Sequence, residues 1–241
     1  MPTISPRLSL NLLPPDLDDM VRLSVSLIHP GRDGKDRRRL VAVPTSTWDE
    51  CGEALGAGIS SLDFPSNSIV LIEVIRGEGL QLILPPLGSS FHMPSVAGLR
   101  SPGIDEDLVR KIFAEMRGHS EFSSEAFSDG PCPFLVLPLV LEAARIRRRG
   151  TPCVTPLTVA VGDDPAAASL GRLLASLVSG MGLGVVVHLS ADDLDSLEGD
   201  SEEGPVSFVR SLGGAGDWRR VGATAARGLV FRGRRPGIGP L

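Results

Sequence analysis

The sequence predicts a mixed α+β and α/β chain: an N-terminal β-grasp-like half of order ββαββ, then a three-layer-type α/β half containing a βαβ unit. Three observations predict it. Short strand-like stretches recur between 21 and 84 around one capped helix. An amphipathic helix over 104–117 carries charges that complement its dipole. Two apolar, β-rich runs at 157–161 and 185–189 flank a leucine-striped helix that opens on a proline.

Residues 1–19 read as an extended arm. Prolines at positions 2, 6, 14 and 15 oppose both a signal peptide and an amphipathic transit helix. Residues 20–92 are expected to form the β-grasp-like α+β domain. Val21, Leu23, Val25 and Leu27 alternate with Arg22, Ser24 and Ser26, a half-buried strand. A loop at 29–36 follows, and 38–44 is the return strand. Thr47 and Glu50 form a capping box for a helix from Trp48 to about Leu55, with Gly56 and Gly58 as its stop. Ile69–Ile75 is a continuous apolar strand broken only by Glu73, and after a turn at 76–79 Leu80–Leu84 returns.

Residues 93–131 are expected to be a linker holding the 104–117 helix, with Ile104, Leu108, Val109, Ile112, Phe113 and Met116 on its apolar stripe and Gly118 as its stop; 120–130 reads as loop. Residues 132–241 form the expected α/β domain. An apolar segment from Pro133 runs on as a helix to Arg149. Strand 157–161, the turn Gly162-Asp163-Asp164-Pro165, a helix striped by Leu170, Leu173, Leu174, Leu177, Val178 and Met181, and strand 185–189 make the βαβ unit. An acidic loop over 192–203 precedes a basic C-terminal tail whose segments 221–225 and 229–231 suit a closing hairpin.

Bulk composition narrows the function. With 241 residues the chain is one large domain or two small ones, at roughly 100–200 residues each. A hydrophobic fraction of 42% with 22% charged excludes a wholly disordered or fibrous protein. No apolar run approaches the ~20 residues of a membrane helix. The net charge of -5 argues against nucleic acid as a whole-surface partner. Three cysteines cannot build a disulfide framework, so the expected compartment is the reducing cytoplasm. Tyr is absent and Lys35 and Lys111 stand against 22 arginines, a bias that resembles G/C-rich coding and weakens any single Arg as a chosen anion ligand.

The candidate site residues are few. Asp163 and Asp164 sit where a strand ends and a helix begins, the usual ligand edge of an α/β sheet, and suit a divalent cation or a proton. Capping by Asp164 accounts for them as well and is the preferred reading. His188, on an apolar strand, is a weak candidate base; a core histidine is the commoner outcome. No His or Cys spacing fits a metal site, and no phosphate loop or dinucleotide fingerprint is present, so no cofactor and no metal are expected. Cys51, Cys132 and Cys153 read as inert thiols. Arg147-Arg148-Arg149 and the tail arginines Arg219, Arg220, Arg232, Arg234 and Arg235 are possible partner or anion contacts. Nucleic acid is expected only through that tail, and as the less favoured option.

Leu137-Pro138-Leu139-Val140-Leu141, with Pro152 after ten intervening residues, resembles the minimal F-box-like pattern of certain plant-virus silencing suppressors. That resemblance implies a viral accessory protein engaging host machinery. The resemblance covers only this stretch, and the same residues read as a buried segment. The leading expectation is a non-enzymatic interaction or assembly protein, a subunit or adaptor that binds other proteins or itself. The alternative is a small α/β enzyme or ligand-binding protein with its site near Asp163, Asp164 and His188.

Overall fold

The computed structural model describes residues 3–4, 39–45, 48–63, 67–91, 101–129, 132–162, 165–197, 204–213, 216–221 and 228–233. In chain order the elements are β1 (Thr3–Ile4), β2 (Leu40–Pro44), α1 (Trp48–Ser61), β3 (Ser68–Arg76), β4 (Gln81–Leu84), β5 (Ser90–Phe91), α2 (Glu106–Glu115), β6 (Ser120–Phe122), α3 (Glu125–Asp129), α4 (Cys132–Ile146), β7 (Cys153–Val161), α5 (Pro165–Met181), β8 (Gly184–Leu189), α6 (Ala191–Ser196), α7 (Gly204–Gly213), β9 (Gly216–Val221) and β10 (Gly228–Gly233).

The mixed α/β class is as expected. Eight strands make one sheet in the order β6-β4-β7-β3-β8-β2-β10-β9, and β1 pairs separately with β5. The four central strands β7, β3, β8 and β2 are parallel. Antiparallel β4 flanks them on one side and antiparallel β10 on the other, with β9 completing a hairpin. Strands of this kind are covered on both faces and so read as unbroken apolar runs; β8 is buried along its whole length.

Side-chain alternation assigns the helices to two layers. Gly58 of α1 lies over Val43 and Val41, whose sheet partners are His188 and Val186. Glu73 is the next residue of that row and therefore shares the α1 face. α4 joins this layer, tied to α1 by the Arg147 guanidinium, which donates to the carbonyls of Leu62 at 2.6 Å and Ser60 at 2.8 Å. Arg147 is thus a tie between helices rather than part of a free anion patch. Arg76 points to the opposite face and pairs with Asp193 of α6. α2 caps that face through Asp105, which accepts from the Ser68 hydroxyl at 3.1 Å, and α5 and α7 pack there together. The β2-α1-β3 and β7-α5-β8 connections run in opposite directions over opposite faces, as one common hand requires.

The strand order corrects the expected ββαββ grouping. β2 and β3 are separated by β8, and β3 and β4 by β7, so the described strands of 20–92 do not pair with each other. The stretches 20–92 and 132–241 instead contribute interleaved strands to one sheet. Fully buried strands carry no mark of their neighbours, and long-range packing chose them. The expected strand at 21–28 and loop at 29–36 lie outside the described residues. Of the arm over 1–19, Thr3–Ile4 is described, and it is a strand.

Local differences have local causes. α1 runs through Gly56 and Gly58 to Ser61 instead of stopping near Leu55. A Cβ at Gly58 would stand 3.0 Å from Val43 Cγ1, so this glycine permits close helix–sheet approach rather than ending the helix. The expected loop over 120–130 holds β6 and α3. The acidic loop over 192–203 begins as helix α6, because Ser190 caps it: its Oγ accepts from the Asp193 N–H at 3.2 Å. α7 was not anticipated. α5 begins at Pro165 and closes with Gly182 at φ 69° and a Leu183 N–H bond to the Val178 carbonyl, as the sequence suggested, whereas α2 begins at Glu106 and Asp105, a first-turn acid of the expected 104–117 helix, is its cap. The buried stripe of α5 is Ala167, Leu170, Gly171, Leu174 and Val178, turned slightly from the expected leucines, since Gly171 is pressed against α7. The closing hairpin is present with its first strand five residues earlier than expected, at Gly216–Val221 rather than 221–225. No helix among the described residues is long and apolar enough to cross a membrane.

Candidate functional site

The parallel strands β2, β8, β3 and β7 end at one edge of the sheet. Beyond β2 the chain turns into α1 on one face, and beyond β8 it turns into α6 on the other. This divergence between adjacent parallel strands is where open α/β sheets form a ligand crevice. The row of residues just inside this edge, on the α1 face, reads Val43, His188, Glu73, Thr158 and Ile83 across five strands. Its centre is polar, while the other residues that the four parallel strands place on this face are apolar.

His188 is fully buried, and neither Nδ1 nor Nε2 has a hydrogen-bond partner among the described residues. Burial lowers its pKa from 6.5 to about 3, so the imidazole is neutral at physiological pH, with one N–H and one free lone pair. Glu73 lies one strand away, a spacing of about 4.8 Å. It is only partly buried. Desolvation raises its pKa, and the Thr158 hydroxyl, its neighbour on the other side, donates to it and lowers the value in part. One pleat nearer the edge on the same face stands Ile75, 45% exposed, in line with Ala160 and Gln81. Solvent therefore reaches Glu73 past an apolar side chain, while His188 closes the row on its inner side. A neutral imidazole with a free nitrogen beside a carboxyl of raised pKa can accept a proton, deliver one, or hold a polar group by hydrogen bonds.

The opposite face of the same strand ends is polar and satisfied. The Arg76 guanidinium pairs with Asp193, whose carboxylate also accepts from the Ser190 hydroxyl at 2.7 Å. Asp193 is almost wholly buried and Arg76 mostly exposed, so the pair fastens α6 to β3. Gly77 and Gly162 let two turns cross there: a Cβ on Gly162 would stand 2.7 Å from the Glu78 carbonyl carbon.

Of the sequence candidates, His188 is present at the carboxyl edge, and the residue brought beside it is Glu73. Asp163 and Asp164 lie outside the described residues. Glu73 was visible as the single break in an apolar run, but only register shows that it meets the equivalent break in β8. Leu137, Leu139, Val140 and Leu141 of the F-box-like stretch are buried in α4, as a core segment requires. Burial and then the Asp105 charge raise the Cys153 pKa, which keeps the thiol protonated. His119 is exposed, while His29 and His92 lie outside the described residues. No group of three or more metal-ligating side chains occurs among the described residues. Arg219, Arg220 and Arg232 fall on the closing hairpin, with Arg219 opposite Val230 and Arg220 opposite Leu229 in register; Arg234 and Arg235 lie outside the described residues. A comparison with protein-family models gives no match, and none is found among curated proteins.

Proposed function

We propose that this chain is a small-ligand-binding α/β protein whose site lies at the carboxyl ends of β3 and β8, with Glu73 and His188 as the groups that meet the ligand. One observation carries the reading: two polar side chains, on adjacent parallel strands and in the same row, interrupt the apolar sheet at its ligand edge without satisfying each other. Burying an imidazole with no partner costs stability, on the order of 1–3 kcal/mol for an unsatisfied group. A bound molecule that fills those bonds offsets the cost, which is the usual reason a functional site departs from core chemistry. The divergent connections beyond β2 and β8 add the expected place for such a site.

The expectation of an assembly protein rested on a β-grasp-like grouping, a proline-rich arm and the lack of a catalytic constellation, and the strand order removes the first of these supports. The ligand-binding reading needs only the parallel centre and the polar row. Its test is native mass spectrometry of the protein purified from its natural source. A bound small molecule that is lost in Glu73→Gln is the expected result. A protein that carries no such molecule, and instead retains a stoichiometric protein partner unaffected by Glu73→Gln, overturns the reading in favour of assembly.

A further inference from the structure

We propose that the outer edge of β6 and the adjoining flank of α2 join a second copy of this chain about a two-fold axis, so that the two sheets continue into one another. This surface is separate from the ligand edge: β6 is the outermost strand on its side of the sheet, three strands from β3.

The backbone of β6 supplies the first argument. β6 runs parallel to β4, with Leu82 beside Ser120 and Leu84 beside Phe122. The Leu82 N–H donates to the His119 carbonyl at 2.7 Å, and the Ser123 N–H donates to the Leu84 carbonyl at 3.0 Å. Residues 119, 121 and 123 therefore turn their backbone groups to β4, and Ser120 and Phe122 turn theirs outward. No described strand lies beyond them. The edge is open to solvent: His119, Glu121 and Phe122 are exposed, Phe122 to 41%. Edges are usually protected by charge or proline. Here the one charge, Glu121, is drawn back to Gln81 at 3.0 Å, and an aromatic ring stands at the edge instead.

Charge along α2 supplies the second argument and names the occupant. Phe122 packs on Phe113 with ring centroids 4.7 Å apart, so this flank of α2 borders the open edge. The other flank faces α5, where Lys111 meets Met181. At helical spacing the Phe113 flank also carries Glu106, Arg110 and Arg117. An acid stands at one end, a base at the other, and a guanidinium and a ring lie between them. That order complements itself in reverse. An antiparallel copy sets Glu106 against Arg117 of the second copy and Arg110 against its Phe113, and a two-fold axis makes each contact twice. Arg117 is exposed and bonded to none of the described residues. Glu106 and Arg110 share only a solvent-exposed contact of 3.0 Å, which leaves a carboxylate oxygen and the guanidinium face for the copy.

Both arguments select the same axis. The outward backbone groups belong to Ser120 and Phe122, so an antiparallel pair can centre on Ser120, Glu121 or Phe122. Centring on Glu121 opposes two carboxylates, which is destabilising. Centring on Ser120 brings the two Arg117 side chains together. Centring on Phe122 lets each Phe122 exchange its N–H and C=O bonds with the other, and sets Glu121 opposite Ser123 of the second copy. Side chains on a helix lean toward its N-terminus. The Phe113 ring, and the Phe122 ring upon it, therefore lie level with the middle of the stretch from Glu106 to Arg117. An axis there is the one that matches acid with base.

The test is sedimentation velocity of the full chain over a range of concentrations, with the fold of each variant checked by its urea midpoint. The natural chain is expected to pass reversibly from monomer to dimer at micromolar concentration, since small interfaces are weak ones. Phe122→Pro removes the ring and the outward N–H and leaves the bonds to β4 in place, so the dimer should be lost while the monomer keeps its fold. Glu106→Arg and Arg117→Glu each set like charges opposite one another twice, and each should weaken the dimer about tenfold. An equal mixture of these two variants places unlike charges at both contacts and should dimerise again. Recovery on mixing requires an antiparallel two-fold contact, and a mere loss of folding in either variant does not produce it. A natural chain that stays monomeric overturns the proposal. So does a dimer that survives Phe122→Pro, or a pair of charge variants that does not recover on mixing. Should Phe122→Pro fail to fold, the charge variants and their mixture decide alone.

Discussion

The two faces of the sheet at the ends of β3 and β8 carry the same kinds of residue and treat them oppositely. On the α6 face, Asp193 is buried, yet it accepts from Arg76 and from Ser190, and its own N–H is bonded to the Ser190 hydroxyl. On the α1 face, His188 is buried with two idle nitrogens, and Glu73 has a neutral hydroxyl as its partner. The first arrangement is closed: every polar atom named has found its bond within the chain, and its role is to fasten a helix to a strand. The second is open: neither His188 nitrogen has a partner among the described residues, and the charged Glu73 meets only a neutral hydroxyl. The lesson is that buried charge alone does not mark a site; unfilled bonding capacity does.

The contrast can be broken by substitution, and the scaffold sets its scale. Leu174 faces inward from α5 and is buried. Leu174→Ala should cost about 2–5 kcal/mol in a urea melt, the usual range for a buried leucine. A loss below about 0.5 kcal/mol would place it on the surface and undo the layer assignment.

The closed face comes next. Arg76→Leu leaves the buried Asp193 carboxylate with Ser190 as its remaining partner. Removing one member of a buried pair costs about 3–5 kcal/mol, but the guanidinium is 69% exposed and solvent screening discounts that figure. About 1–3 kcal/mol of lost stability is expected from chemical denaturation, with α6 released first in hydrogen exchange. An unchanged melt would show that the α6 face is no more closed than the other.

The open face should respond with the opposite sign. His188→Leu removes an unsatisfied ring of similar volume, and a gain of about 1–2 kcal/mol at neutral pH is expected. The pH profile sharpens this. The His188 pKa is 6.5 unfolded and about 3 folded, so between those values the unfolded chain binds the extra proton. Stability therefore falls as pH drops from about 6.5 to 3, by at most about 1.4 kcal/mol per unit. His188→Leu should remove that part of the acid slope. A slope that survives intact assigns the titration to other groups and leaves His188 better satisfied than the structure places it.

How much of this was legible depends on whether a feature is local. The proline that opens α5 and the left-handed Gly182 that closes it are written within a few residues, and each is where the sequence puts it; the tail hairpin is equally local, though its first strand begins five residues early. The interleaving of β3 between β7 and β8 is not local. Strands buried on both faces show the same apolar run whichever neighbours they take. Gly58 misled for a related reason: its function is contact with Val43, fifteen residues away, and a missing side chain reads the same whether it ends a helix or lets one approach. α7 escaped notice because its apolar residues are set among glycines and serines, and its burial depends on α5. The site was half legible. Each of its two residues stands out as a polar break in an apolar run, and only the pairing of Glu73 with His188 makes them one feature.

The smallest expected effect is the one that separates the two faces most cleanly. Glu73→Gln keeps the shape of the side chain and an oxygen for the Thr158 hydroxyl, and it removes the charge. Because the folded pKa of Glu73 is raised above its ordinary value of 4.5 by desolvation, the acid favours folding most below that value, where it is neutral in both states. That contribution is lost as pH rises through the folded pKa, where the half-buried carboxylate ionises. The difference between Glu73→Gln and the natural chain should therefore be near zero below pH 4.5. Above the folded pKa it should grow to a plateau in favour of glutamine. Solvent reaches this position, so the plateau is expected at about 0.5–1 kcal/mol, read from denaturation midpoints across pH. Asp193→Asn on the closed face should do the reverse, losing stability at neutral pH because the Arg76 pair loses its charge. If both substitutions destabilise to the same degree, Glu73 is held by the chain as Asp193 is, the two faces are alike, and the row on the α1 face has no bond left for a ligand to fill.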